Sequence, residues 1–161
     1  MTKVLLLICM IFSFAQADFH LKKGERLLYG LHCKNGKELG LVLGNGDTYL
    51  QYRYGKKGTI ELTYPPNRRN SFQHFTYSHY LRTGAGNSGL DLQYLRFENH
   101  HILYVIYDEY SQDDDSRDYG IEIIKKGKLL ARIPCDTHKG ALSDAEDLPV
   151  KQDEKTEFTV E

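Results

Sequence analysis

Apolar positions follow two regimes along this chain. Val4 to Phe14 is a continuous apolar run broken only by Ser13, whereas from Leu27 onward short apolar windows alternate with polar positions. In Tyr49–Tyr54 the residues Leu50, Tyr52 and Tyr54 fall on one face of an extended chain, and Tyr49, Gln51 and Arg53 on the other. No segment after the first run carries a long apolar stripe at helical spacing. The windows Leu27–Cys33, Glu38–Leu43, Thr48–Tyr54, Thr59–Tyr64, Ser71–Tyr80, Leu90–Glu98, Ile102–Tyr110, Tyr119–Lys125 and Lys128–Ile133 are therefore predicted to be strands. Turn chemistry separates them: Lys34-Asn35-Gly36-Lys37, Gly44-Asn45-Gly46-Asp47 and Gly55-Lys56-Lys57-Gly58 each sit between apolar runs. Pro65-Pro66 closes the fourth window, because neither residue can donate to a ladder. About eight or nine closely spaced strands predict an all-β domain, an antiparallel β-sandwich or a small β-barrel.

The first seventeen residues read as a leader rather than as part of that domain. Lys3 precedes the apolar run, and Ala15-Gln16-Ala17 ends it with small residues at the positions a signal peptidase needs. A membrane span needs about 20 apolar residues, more than this run supplies. Cleavage after Ala17 would leave a periplasmic or secreted chain starting at Asp18, without a membrane span. Of the three cysteines, Cys9 would leave with the leader. Cys33 and Cys135 would remain, an even pair in an oxidising compartment, and are expected to form a disulfide between the first and last strands.

Charge refines this picture. Residues 18–135 hold 17 Lys and Arg against 14 Asp and Glu, while residues 136–161 hold eight acids and three lysines. The domain is therefore assigned to 18–135, and 136–161 is expected to be a disordered acidic tail. The whole chain carries a formal charge of −1, which argues against a dedicated nucleic-acid binder.

Candidate chemistry is sparse. Gly86-Asn87-Ser88-Gly89 has no base or oxyanion hole to accompany it, and Thr83–Gly89 is taken as a Gly-rich hairpin loop. His74 and His79 have opposite parity on a strand, and His100 and His101 are adjacent, so neither pair converges as a zinc site requires. Asp113, Asp114 and Asp115 offer oxygen ligands for a weak Ca²⁺ site, although the spacing of a helix–loop–helix calcium loop is missing. Arg68 and Arg69 follow the rigid Pro65-Pro66 entry, and with Lys56 and Lys57 they would make one end of the domain basic. Twelve tyrosines are too many to bury without partners for their hydroxyls, so some, Tyr54 and Tyr64 among them, are expected on a recognition surface. No cofactor and no catalytic residue is expected.

Tyr49–Gly55 followed by Ile60–Pro65, with Tyr104–Tyr107, Tyr119–Ile123, Gly127-Lys128 and the closing Cys135, resembles a pattern in small secreted and periplasmic proteins of Gram-negative bacteria whose function is uncharacterised. The placing of Cys33, Asn35-Gly36 and Cys135 is also loosely similar to periplasmic lysozyme inhibitors. Their Ser-Gly-x-x-Tyr loop is not matched here, and Thr83–Gly89 is only a Gly-rich loop of similar character. The resemblance implies a non-enzymatic envelope protein that binds and blocks another protein, a cell-wall hydrolase or a toxin. The alternative is a β-sandwich that binds glycan or peptidoglycan through exposed tyrosines.

Overall fold

The computed structural model describes residues 18–83 and 88–159. Residues 1–17, which the sequence pattern suggests to be a leader, the centre of the Gly-rich loop at 84–87 and residues 160–161 lie outside the described residues. The strands are β1 (Arg26–Cys33), β2 (Glu38–Leu43), β3 (Leu50–Lys56), β4 (Thr59–Tyr64), β5 (Thr76–Arg82), β6 (Leu90–Asn99), β7 (Ile102–Ser111), β8 (Ser116–Lys125), β9 (Lys128–Gly140) and β10 (Lys151–Asp153). They form a single sheet in the order β10-β5-β6-β7-β8-β9-β1-β2-β3-β4. Every pairing is antiparallel except that of β10 with β5. The sheet ends at β10 and β4, so it is a curled half-barrel rather than a closed barrel or two separate layers.

Alternation and turn chemistry produce this hairpin ladder. Lys56 pairs with Thr59 and Lys125 with Lys128, each across a two-residue turn ending in a glycine of positive φ. Asn99 pairs with Ile102 across His100 and His101, which take φ of 51° and 60°. Those two histidines are thus turn residues, held in a conformation usually left to Asn and Gly.

Curling brings the two arms of the sheet face to face, and the core lies between them. Tyr52 of β3 meets Phe97 of β6 at 4.9 Å between ring centroids, and Tyr64 of β4 stacks on the same Phe97 at 4.3 Å. Leu28, Leu31, Leu39, Leu41, Leu43 and Leu50 fill the space beside these rings with almost no exposure. Cys33 and Cys135 are register partners on β1 and β9 and form a disulfide that spans 102 residues of sequence. It fixes the junction between the two arms.

The C-terminal segment corrects the sequence reading. Residues 136–140, expected in the disordered tail, continue β9, where Thr137 to Gly140 pair with β1. Leu142, Ala145 and Val150 are buried in the main core, and Lys151–Asp153 add a parallel strand to β5. Phe158 then covers a second apolar cluster on the outer face, against Tyr94, Val105, Tyr107 and Ile124. The segment is acidic, but its few apolar residues are spaced so that each reaches the domain. Ser71–His74, expected at the start of a strand, form a 3₁₀ turn instead. Ser71 Oγ there accepts a hydrogen bond from the Leu50 amide, tying the turn to β3.

Candidate functional site

The residues singled out by sequence divide between a surface and the core. Lys56 and Lys57 are exposed at the β3–β4 turn, and Arg69 is exposed in the loop after β4. Arg68 lies over the Tyr49 ring at 4.5 Å and its Nη2 is 3.5 Å from Glu25 Oε1, so it is held against the domain. Tyr54 is not a surface residue. Its ring is 8% exposed within the core, and its hydroxyl accepts a hydrogen bond from Asn35 Nδ2 at 2.8 Å. The alternation that places Tyr54 beside Leu50 and Tyr52 puts all three on the concave, core-facing side. Tyr64 is half-buried against Phe97.

Beneath this surface lies a buried charge network. The convex side of β3 presents Arg53, whose Nη1 donates to Glu25 Oε2 at 2.6 Å and to the His20 carbonyl at 2.8 Å. Its Nη2 donates to Glu25 Oε1 at 2.7 Å and to Gln51 Oε1 at 2.9 Å. Tyr49 and the Lys22 amide also donate to Glu25. Burial pushes the Glu25 carboxyl up, but the hydrogen bonds from Arg53, Tyr49 and Lys22 outweigh it and hold its pKa down at about 2. These contacts lay residues 18–25 across β1, β2 and β3. Phe19 packs over Gly30 and Gly40, where a Cβ on Gly40 would come within 2.1 Å of the Phe19 carbonyl oxygen. The arm and the β3–β4 turn bring Leu21 and Ile60, both more than a third exposed, to the rim of one shallow depression.

β4 is an end strand that pairs with β3 alone. Thr59, Ile60 and Glu61 are exposed along it, with Lys56 and Lys57 at one end and Arg68 and Arg69 beyond the other. Glu61 is held by Lys37 at 2.6 Å.

The sequence reading missed a second cluster, on the concave side of the other arm. There His79, Gln93, Asp108 and Tyr119 stand in register across β5 to β8, and beside them Leu81, Asp91, Tyr110 and Arg117 form a parallel row. His79 Nε2 lies 2.9 Å from Asp91 Oδ1, and Gln93 Nε2 donates to the same carboxylate. Asp108 is buried and accepts from Tyr29 and, twice, from Arg117. The signal was present: each of these strands carries two such residues of equal parity at the corresponding end. Strand pairing was needed to align them.

The suggested calcium ligands do not gather. Asp113, Asp114 and Asp115 occupy the β7–β8 turn, where Asp114 accepts from Ser116 and Asp115 from Tyr110. Among the described residues no group of three or more His, Cys, Asp or Glu is placed to hold a metal ion. The tyrosines are also mostly internal, and Tyr80 is the only one more than a third exposed. No helix among the described residues is long and apolar enough to cross a membrane.

No family model matches this chain, and neither a curated protein nor a solved structure does.

Proposed function

We propose that this is a non-enzymatic protein of the cell envelope that binds another protein along the free edge of β4 and blocks it. A cell-wall hydrolase or a toxin is the class of target that suits this reading. The observation that carries it is the edge itself. A six-residue strand with a partner on one side only offers backbone donors and acceptors to an incoming strand. Lys56, Lys57 and Arg69 give that edge a positive border, and Leu21 with Ile60 adds an apolar contact beside it. An acidic extended segment of the target is the complementary shape and charge. The disulfide and the Arg53–Glu25 network hold the edge rigid, which lowers the ordering cost of association.

The glycan reading called for several exposed aromatics on one face, and Tyr80 alone gives it little support. The inhibitor reading is tested by adding the exported protein, at micromolar concentration, to peptidoglycan hydrolases and measuring turbidity clearance. Inhibition that is lost in a Lys56→Glu, Arg69→Glu variant supports it. Unchanged clearance across muramidases, amidases and endopeptidases counts against a hydrolase target.

A further inference from the structure

The N-terminal arm covers a carboxylate whose partners are weak. Glu38, at the start of β2, leaves only 4% of its side chain exposed. Its one ion-pair contact among the described residues is His32, a half-exposed ring whose Nδ1 is 3.9 Å from Oε1, too far for a hydrogen bond. Oε2 accepts from the Phe19 amide at 3.3 Å, a long contact for a charged acceptor. Glu25, buried to the same degree, takes two hydrogen bonds of 2.6 and 2.7 Å from Arg53. A buried carboxylate matched as thinly as Glu38 is unfavourable unless a cation reaches it.

The arm passes this carboxylate in an unusual conformation. Phe19 and His20 both hold positive φ, of 51° and 61°, which residues with a side chain adopt only where their surroundings impose it. Phe19 is seated on Gly30 and Gly40, Asp18 Oδ1 accepts from the His20 amide at 2.9 Å, and His20 Nε2 lies 3.3 Å from the Glu38 carbonyl oxygen. These contacts hold Asp18 one residue ahead of the Phe19 amide. Successive backbone nitrogens are at most about 3.6 Å apart, so the Asp18 nitrogen lies within about 7 Å of the Glu38 carboxylate.

We propose that this nitrogen, freed by cleavage after Ala17, supplies the counter-charge: the α-ammonium of Asp18 pairs with Glu38 and fastens the arm to the sheet. The inference rests on that cleavage, which is read from Ala15-Gln16-Ala17. Hydrolysis of the Ala17–Asp18 bond consumes one water and leaves a carboxylate on Ala17 and an ammonium on Asp18. Before cleavage the nitrogen is a neutral amide and Glu38 stays poorly matched, so the arm is fully secured only in the processed chain. The same end of the molecule carries the Asp18 carboxylate, His20, Lys22 and Arg53, with Lys57 next to Gly58 and Lys139 opposite Gly30. Most of these groups are basic, so contact with Glu38, not a general negative field, holds the ammonium. Leu21 follows on the arm and meets Ile60 at the shallow depression, so processing also completes the surface beside β4.

The test uses the full processed chain, made by ligating a synthetic peptide of residues 18–32 to residues 33–161 at Cys33, with the Asp18 amine free or acetylated. Acetylation should lower the folding equilibrium constant about tenfold, the worth of one hydrogen bond to a charged group. In Glu38→Gln the acetyl group should change that constant by less than about twofold. A second measurement is the NMR titration of the α-amine, compared with the peptide Asp18-Phe19-His20-Leu21, which carries the same Asp18 carboxylate. At pH 7 the folded chain should hold about tenfold less free amine than the peptide, and this readout decides the matter if Glu38→Gln fails to fold. Neither measurement involves a target protein, so each fails separately from the proposed inhibition. No loss on acetylation, equal loss in both backgrounds, a titration like the peptide's, or an exported chain that begins elsewhere than Asp18 would overturn the proposal.

Discussion

Glu25 and Arg53 meet through two charge-assisted hydrogen bonds of 2.6 and 2.7 Å, with 4% and 1% of their side chains exposed. This pair ties the N-terminal arm to the convex side of β3, the strand on which the edge strand β4 pairs. Removing the carboxylate alone leaves a buried guanidinium without its counter-charge, which typically costs about 3–5 kcal/mol. Glu25→Gln should therefore lower unfolding free energy by about that amount in urea titrations. Replacing both partners by apolar residues, Glu25→Leu with Arg53→Met, should cost clearly less. A single variant within about 1 kcal/mol of the parent would mean the pair does not carry the arm.

The same carboxyl sets an acid limit. Its pKa is about 2 in the folded chain against an ordinary 4.5, so the folded state binds its proton less readily than the unfolded state does. The stabilisation is complete above about pH 4.5 and is lost as the pH falls towards 2. Unfolding midpoints measured from pH 6 to pH 2 should drop through that window. In Glu25→Gln the drop should be shallower, and equal slopes would rule the carboxyl out as its source.

Cys33 and Cys135 close the junction of the two arms. Reduction, or the paired change Cys33→Ala with Cys135→Ala, should destabilise the domain by about 2–5 kcal/mol. Mass spectrometry of the non-reduced exported protein should show one disulfide and a chain that begins at Asp18. Two free thiols in that product would contradict the first expectation, and a mass retaining residue 17 the second.

The C-terminal segment is expected to behave as part of the domain. Ending the chain after Gly140 removes Leu142, Ala145 and Val150 from the main core and uncovers Tyr94 and Val105 on the outer face. That deletion should unfold the protein or leave it prone to aggregation. Phe158→Ala is milder and should cost about 3 kcal/mol, the lower end for a buried phenylalanine. A truncated chain with the parent's melting temperature would return the segment to the solvated tail that its charge suggests.

Much of this architecture was legible in the alternation of side chains and in the turns. Lys34-Asn35-Gly36-Lys37 and Gly55-Lys56-Lys57-Gly58 mark real hairpins, and Cys33 pairs with Cys135 as expected. The tail was misjudged because net charge was weighed over residues 136–161 as a block. Its docking depends on five positions: Leu142, Ala145, Val150, Asp153 and Phe158. Asp153 accepts from Ser78 and Arg96, so one of its acids is itself part of the attachment. The tyrosines were harder, because a tyrosine suits both a core and a surface. Which face of each strand turned inward depended on the direction of curl, a property of the whole sheet. The concave rows were invisible for a related reason: His79, Asp91, Asp108 and Arg117 lie on four different strands and meet only through register.

The central claim, recognition through the β4 edge, is tested most directly by photo-crosslinking in the native envelope. A benzophenone amino acid is placed at Ile60, beside the free edge, and in a second sample at Leu130 on β9. Both positions are exposed, at 38% and 58%. The account predicts a discrete adduct of higher mass from position 60, none from position 130, and loss of the adduct when Lys56→Glu and Arg69→Glu are added. No adduct from position 60, or the same adduct from both positions, would contradict it.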